Sequence, residues 1–320
     1  MTTVARVVAV LAVLTTAAGL AIATPTSGAD PLPWPAPASP PLPPDPTVPY
    51  LSGVRTICAE GQLSCFYDLE ATLDQRTSAL GCDHDVIFSD AYLTITRGLI
   101  DAVTTPGFFD RPDRITHEAR QYAQEYLDQY DRWHAGDRES VSPAWAIALQ
   151  AAQDESVTAA GDLLLQLNAH IRRDNPIRAV EQSEGVLRLD GAMPAASGRH
   201  DHDQVSEALQ NNLQHMLDRL ARRYDPTIDD GAQLFGMVVD EKGLYSLISS
   251  WREESWRNAE ELRHARAEGG VDGAAYQDKL AQIEASAQAG AEAILAASRT
   301  TPDANAERNA YCAVHHNDPA

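Results

Sequence analysis

From residue 63 onward, apolar positions recur at intervals of three and four, the spacing that gathers them on one face of a helix. This pattern predicts helices over 63–80, 87–103, 115–135, 143–153, 156–173, 201–224, 244–267 and 274–298. No run alternates apolar and polar residues in the manner of a half-buried strand. Three helix ends carry their own signals: Pro143 just inside a start, Asp201-His-Asp-Gln204 as a capping box, and Asn175-Pro176 as a stop. The expected fold class is all-α, a single multi-helix, bundle-like domain. The helix over 274–298 is rich in alanine and poor in large apolar residues, which places it at the periphery.

The phase of these stripes decides where chemistry can sit. In the fifth predicted helix Ala160, Leu163, Leu164, Leu167 and Ile171 share a face, Asp174 falls near its middle and His170 at its edge. Both titratable groups are thus expected to point inward, next to Asn168. A buried imidazole and a buried carboxylate each need a partner, a shifted protonation state or a metal, so a polar site within the core follows. The next helix has its stripe at Val205, Leu209, Leu213, Met216 and Leu220, and His202 projects onto the middle of it. Asp201 and Asp203 flank that histidine in a first helical turn, where acids also oppose the helix dipole. In the helix over 244–267, Arg252 and Trp256 lie one turn apart beside the apolar stripe, a cation next to an aromatic wall. His84 is either a capping neighbour or a further ligand. His117, His134, His215, His264, His315 and His316 are read as surface residues.

Charge and the chain's first residues narrow the setting. Residues 1–23 carry one charge, Arg6, and a long apolar run ending in Ala21-Ile-Ala23, which reads as a secretory signal peptide. Residues 24–50 form a Pro-rich linker, because Pro25 to Pro49 holds 11 of the chain's 19 prolines. The helical domain is expected over 51–300, with 301–320 as a tail held by Cys312. A net charge of -21 repels phosphate backbones and anionic head groups, which argues against nucleic acid and membrane adsorption as partners. No stable membrane span is expected once the signal is cleaved. Four cysteines in an exported chain point to two disulfides, read as Cys58 with Cys65 and Cys82 with Cys312, although spacing alone leaves three pairings open. The expected location is secreted or attached to the cell envelope.

The segment Leu163-Leu-Leu-Gln-Leu-Asn-Ala-His-Ile-Arg-Arg-Asp-Asn-Pro176 resembles the Asn-Ala-His-Ile-x-x-Asp signature of a bacterial family of unknown function, domain of unknown function 5995. Val86 to Thr96, Tyr122 to Asp128, Pro143-Ala-Trp145, Asp201 to Val205 and Arg252 to Ala259 resemble further blocks of that family in the same order. Gln166 stands where that family usually has Gly, and Ser206 where it usually has Asn. Membership implies an all-α domain and no established chemistry. A more distant resemblance is to zinc-dependent phospholipase C and its nuclease relatives, secreted helical enzymes whose zinc ligands include a His-x-x-x-Asp pair. His170 and Asp174 match that pair, but the His-x-x-x-Glu pair of those enzymes has no counterpart, residue 256 being Trp.

Two readings follow. In the first, a metal-dependent hydrolase, His170, Asp174 and His202 hold a divalent ion such as zinc that activates water. Asp203 acts as base, Arg252 steadies the developing anion, and Asn168, Trp256 and Tyr126 bind substrate. A metal-free variant uses His170 as acid or base, oriented by Asp174. In the second, a non-catalytic helical module binds a small ligand or a cell-envelope partner, and the same residues form a structural hydrogen-bond network.

Overall fold

The computed structural model describes residues 62–180, 195–229, 232–234, 237–239 and 241–319. The signal peptide, the Pro-rich linker and Cys58 lie outside the described residues. The described chain is helical throughout apart from one small hairpin, as the periodicity predicts. Its helices are α1 (Ser64–Leu80), α2 (Val86–Thr104), α3 (Pro112–His134), α4 (Pro143–Gln153), α5 (Ala159–Asn168) and α6 (Asn175–Arg178). After these come α7 (Ala195–Arg223), α8 (Glu241–Gly269), α9 (Ala274–Ala297) and α10 (Pro302–His315). Strands Ala232–Leu234 and Met237–Val239 pair antiparallel between α7 and α8. None of the described helices is long and apolar enough to cross a membrane.

α2 runs through the middle, against α1, α3, α5 and α7. Most of its side chains are buried, and Phe88 meets Tyr126 of α3 and Trp145 of α4 edge-on, with ring centroids at 5.0 and 5.9 Å. Burying side chains of this size contributes roughly 1.5–3 kcal/mol each. Asp90 ties α2 to α7: its carboxylate, fully buried, accepts from Arg219 Nε (2.7 Å), Arg223 Nη1 (3.1 Å) and Tyr224 OH (2.7 Å). Three donors, two of them cationic, compensate the desolvation of one carboxylate.

The chain departs from the sequence reading at four places. The helix over 156–173 does not stop at Asn175-Pro176. It passes through a π turn, Ala169–Asp174, and continues as α6, with the Asn175 N–H bonded to His170 O five residues back. Pro176 has no N–H to give and its ring crowds the carbonyl four residues earlier, and a widened turn accommodates both defects. α7 starts at Ala195, so Asp201 lies within that helix and forms no capping box there. Its carboxylate instead accepts from the backbone N–H groups of Asp110 (2.7 Å) and Arg111 (3.0 Å), just ahead of Pro112 at the start of α3. α9 is not peripheral: it packs on α4, α5, the π turn and α8, burying Tyr276, Ile283, Ala287, Ala291 and Ile294. Its small residues permit that approach, for a Cβ at Gly290 would sit 2.3 Å from Arg172 Nη1 and 2.4 Å from Asn168 Oδ1.

The fourth departure is the C-terminal segment, which forms α10 and is held by more than its cysteine. Thr301 caps it by accepting from Ala304 N, and Pro302 occupies its first turn. Cys312 is disulfide-bonded to Cys82, while Arg308 donates to Cys82 O, Tyr311 OH to Arg222 O (3.0 Å) and Arg223 Nε to His316 O (2.6 Å). Cys65 is disulfide-bonded as well, to a partner outside the described residues.

Candidate functional site

α2, α3, the π turn, α7 and α8 enclose a cavity of about 150 Å³. Its wall is largely apolar, with Ile95, Leu99, Leu209, Leu213, Met216 and Ile248 among the aliphatic side chains, and Phe88, Tyr92, Tyr122 and Trp256 among the aromatic ones. The segment carrying the π turn contributes Leu167, His170, Ile171, Asn175 and Ala179. Polar groups are few and come chiefly from α3, α7 and α8.

His170 and Asp174 are both buried, as the stripe predicts, but they do different things. Asp174 is not among the cavity-lining residues. Its Oδ2 accepts from the Trp145 indole N–H (2.8 Å) and its Oδ1 from Arg173 Nη1 (2.8 Å). Arg173 also bonds Glu125 (2.7 Å) and Glu284 (2.8 Å), so the carboxylate belongs to a network joining the π turn to α3, α4 and α9. His170 does reach the cavity, edge-on to Tyr92 (5.1 Å), Phe88 (6.1 Å) and Tyr122 (6.5 Å). Its Nδ1 lies 3.8 Å from Asp174 Oδ2, beyond hydrogen-bond range, and has no partner.

Across the cavity, Arg252 of α8 reaches His202 of α7. Arg252 is 7% exposed; Nε donates to Ser206 Oγ (2.9 Å) and Nη2 to His202 O (2.8 Å), with His202 Nδ1 at 3.3 Å. Burial pushes its pKa down to about 10, which leaves it cationic at neutral pH. Burial, followed by the charges of Arg252, Arg199 and Arg114, holds His202 well below the usual imidazole range, so its ring is neutral. A guanidinium has only donors, so His202 Nδ1 accepts and the ring proton belongs on Nε2. That Nε2 is out of reach of solvent and has no partner. Ser206 therefore serves as an acceptor for Arg252.

The remaining sequence-derived candidates fall outside this group, Trp256 excepted. Trp256 lines the cavity, stacks obliquely on His202 at 4.8 Å and donates to Glu260 Oε1 (2.8 Å). Asp203 is exposed and pairs with Arg199 at 3.1 Å, away from the cavity wall. Asn168 is buried against α9, donating to Ala287 O (2.8 Å) and accepting from Arg172 Nη1 (3.1 Å). Tyr126 is fully buried and stacks on Trp145 at 5.6 Å. His170, Asp174 and His202 do not converge on a metal-sized point. Among the described residues, the possible ligand atoms that do so belong to Asp110, His200 and Asp201, and to Cys82, Cys312 and His316. The first group has its Asp201 carboxylate engaged by backbone N–H groups, and the second contains the disulfide.

Residues 68–297 match the model of the Family of unknown function (DUF5995). The chain belongs to that family. The match runs from the second turn of α1 to the end of α9, and so takes in the whole cavity. No curated protein and no solved structure matches the chain.

This DUF5995 chain holds a second buried polar cluster that periodicity did not reveal. His84 Nδ1 is 2.7 Å from Asp162 Oδ2, both residues being almost wholly buried, and Asp85 bonds His134 Nε2 (3.2 Å) and Gln166 Nε2 (3.5 Å). His84 stands next to the N-cap residue Asp85 and does not line the cavity; His134 is exposed as expected, though its ring bonds Asp85, whereas His117 is buried. Burial raises the Asp162 pKa from 3.8 to about 6, outweighing the opposing His84 bond. A folded-state value above the unfolded one means that this contribution to stability is complete below 3.8 and is lost as pH rises through about 6. The unfolding free energy of wild type minus that of Asp162→Asn is therefore expected to fall across that window in urea titrations. A difference independent of pH would show that Asp162 does not titrate in the fold.

Proposed function

We propose that the domain is a non-catalytic binding module whose cavity holds a small organic ligand. The observation that carries this reading is the contrast between two sets of polar groups. Asp174, Asn168 and Asp201 are engaged by protein partners, whereas the cavity presents an apolar wall with Arg252, His202 and His170 on it. Small-molecule sites have this composition, mostly apolar with a few convergent polar groups. Hydrolysis through a metal on His170, Asp174 and His202 would require Asp174 to release Trp145 or Arg173. Orienting His170 as a general base would require closing the 3.8 Å gap to Asp174. Export to the cell exterior or envelope, inferred from residues 1–23, belongs to the same proposal.

The cavity is tested with benzyl alcohol, a neutral single-ring compound. Saturation transfer from the protein to its ring protons is expected in ligand-observed NMR, and is expected to vanish in Ala119→Phe, which fills the cavity from α3. Transfer that persists in the filled variant would place binding elsewhere. Metal analysis of protein purified without chelator tests the hydrolase alternative: stoichiometric zinc that is lost on His170→Ala would favour it over binding.

A further inference from the structure

The charges on the cavity wall do not balance. Three arginines, Arg114, Arg252 and Arg263, face two glutamates, Glu118 and Glu260, leaving one positive charge in a chain whose net charge is -21. Arg114 Nε is bonded to Glu118 at 2.8 Å. Arg252 forms no ion pair among the described residues: its bonded partners are a hydroxyl, a carbonyl and a neutral imidazole. A buried guanidinium whose bonded partners are all neutral, with the carboxylates of Glu118 and Asp203 acting on it only from a distance, is costly, and the cost is recovered when an anion binds it directly. A cation with no bonded counter-ion at the edge of an apolar space matches one carboxylate group attached to an apolar body.

Size limits that body. A cavity of about 150 Å³ is of the order that accepts a single benzene ring in an engineered protein interior. The aromatic walls of Phe88, Tyr92, Tyr122 and Trp256 suit a flat ring as well as a short chain.

We infer that the cavity takes a small organic monocarboxylate with an apolar body about the size of one ring, its carboxylate set against Arg252. This rests on the binding-module reading and adds the charge of the ligand to it. A net charge of -21 repels anions overall, so selectivity for one comes from the buried pairing with Arg252.

Calorimetric titration of the full chain with benzoate, benzyl alcohol and benzylamine tests it. These compounds share a ring and differ in charge. Benzoate is expected to bind about ten- to a hundred-fold more tightly than benzyl alcohol, the range of a charge-assisted bidentate pair. Arg252→Gln is expected to abolish that preference, because it removes the guanidinium that the carboxylate would meet. Equal binding of all three, or tighter binding of benzylamine, would overturn the carboxylate assignment and leave the cavity reading standing. Absence of binding by any of them at millimolar concentration would remove both. A preference for benzoate that survives in Arg252→Gln would place the anion elsewhere and also overturns the assignment. The comparison within wild type decides the matter even where the variant does not fold.

Discussion

Asp174→Ala is expected to destabilise the domain by about 3–5 kcal/mol, the range for removing one member of a buried charged pair. The carboxylate is 0% exposed, and its loss leaves the Trp145 indole N–H, itself fully buried, without an acceptor. An orphaned buried donor costs roughly 1–3 kcal/mol by itself. Arg173 keeps Glu125 and Glu284, so the guanidinium is not abandoned and the effect stays within that range. Asp174→Asn retains one acceptor oxygen for Trp145 and is expected to lose about half as much. Asp203→Ala provides the control: this exposed acid pairs with Arg199 on the surface, and its removal is expected to change stability by about 0.5 kcal/mol or less. Urea unfolding followed by far-ultraviolet circular dichroism measures all three. A loss below about 1 kcal/mol for Asp174→Ala would mean that the Trp145 and Arg173 bonds are not formed in solution.

Replacing Cys82 and Cys312 together by alanine is expected to cost up to about 5 kcal/mol by the loop-entropy relation, for a bridge spanning 230 residues in sequence. The effect resides mainly in the unfolded chain, which regains freedom when the long loop opens. In the fold α10 retains its bonds from Arg308, Tyr311 and Arg223, so its register against α7 should persist. The double variant should therefore show a lower denaturation midpoint with an unchanged native spectrum, and wild type treated with reductant, which also opens the Cys65 bridge, should unfold at least as early. A native spectrum that has lost helix would mean instead that the bridge alone retains α10.

Periodicity located eight of the helices because each buries an apolar stripe, and such stripes are visible in sequence. It passed over α10 because Asp303, Asn305, Glu307, Arg308 and Asn309 interrupt any stripe; the Thr301-Pro302 start signal was the readable cue. Inward placement of His170 and His202 follows from phase alone, whereas phase puts Arg252 and Trp256 only beside their stripe. What phase does not disclose is the partner. Trp145 lies 29 residues before Asp174, and Asp110 lies 91 before Asp201, so the bonds that engage these acids depend on the packing of whole helices. The Asp162 cluster was hidden for a related reason, since an acid in the first turn of a helix has an ordinary explanation in the dipole.

The π turn amounts to one surplus residue in an otherwise regular spiral. Positions 167, 171, 175 and 179 all face the same void at a constant step of four, whereas an unbroken α-helix would drift off that line. Excising a single residue between 169 and 174 would restore ordinary winding and swing everything downstream by about 100°. Asn175 and Ala179 would leave the wall, and Pro176 would meet the carbonyl it now avoids. A deletion mutant of this kind should remain helical yet lose its chamber, so that length at this one point, more than the identity of any side chain there, governs whether an interior exists.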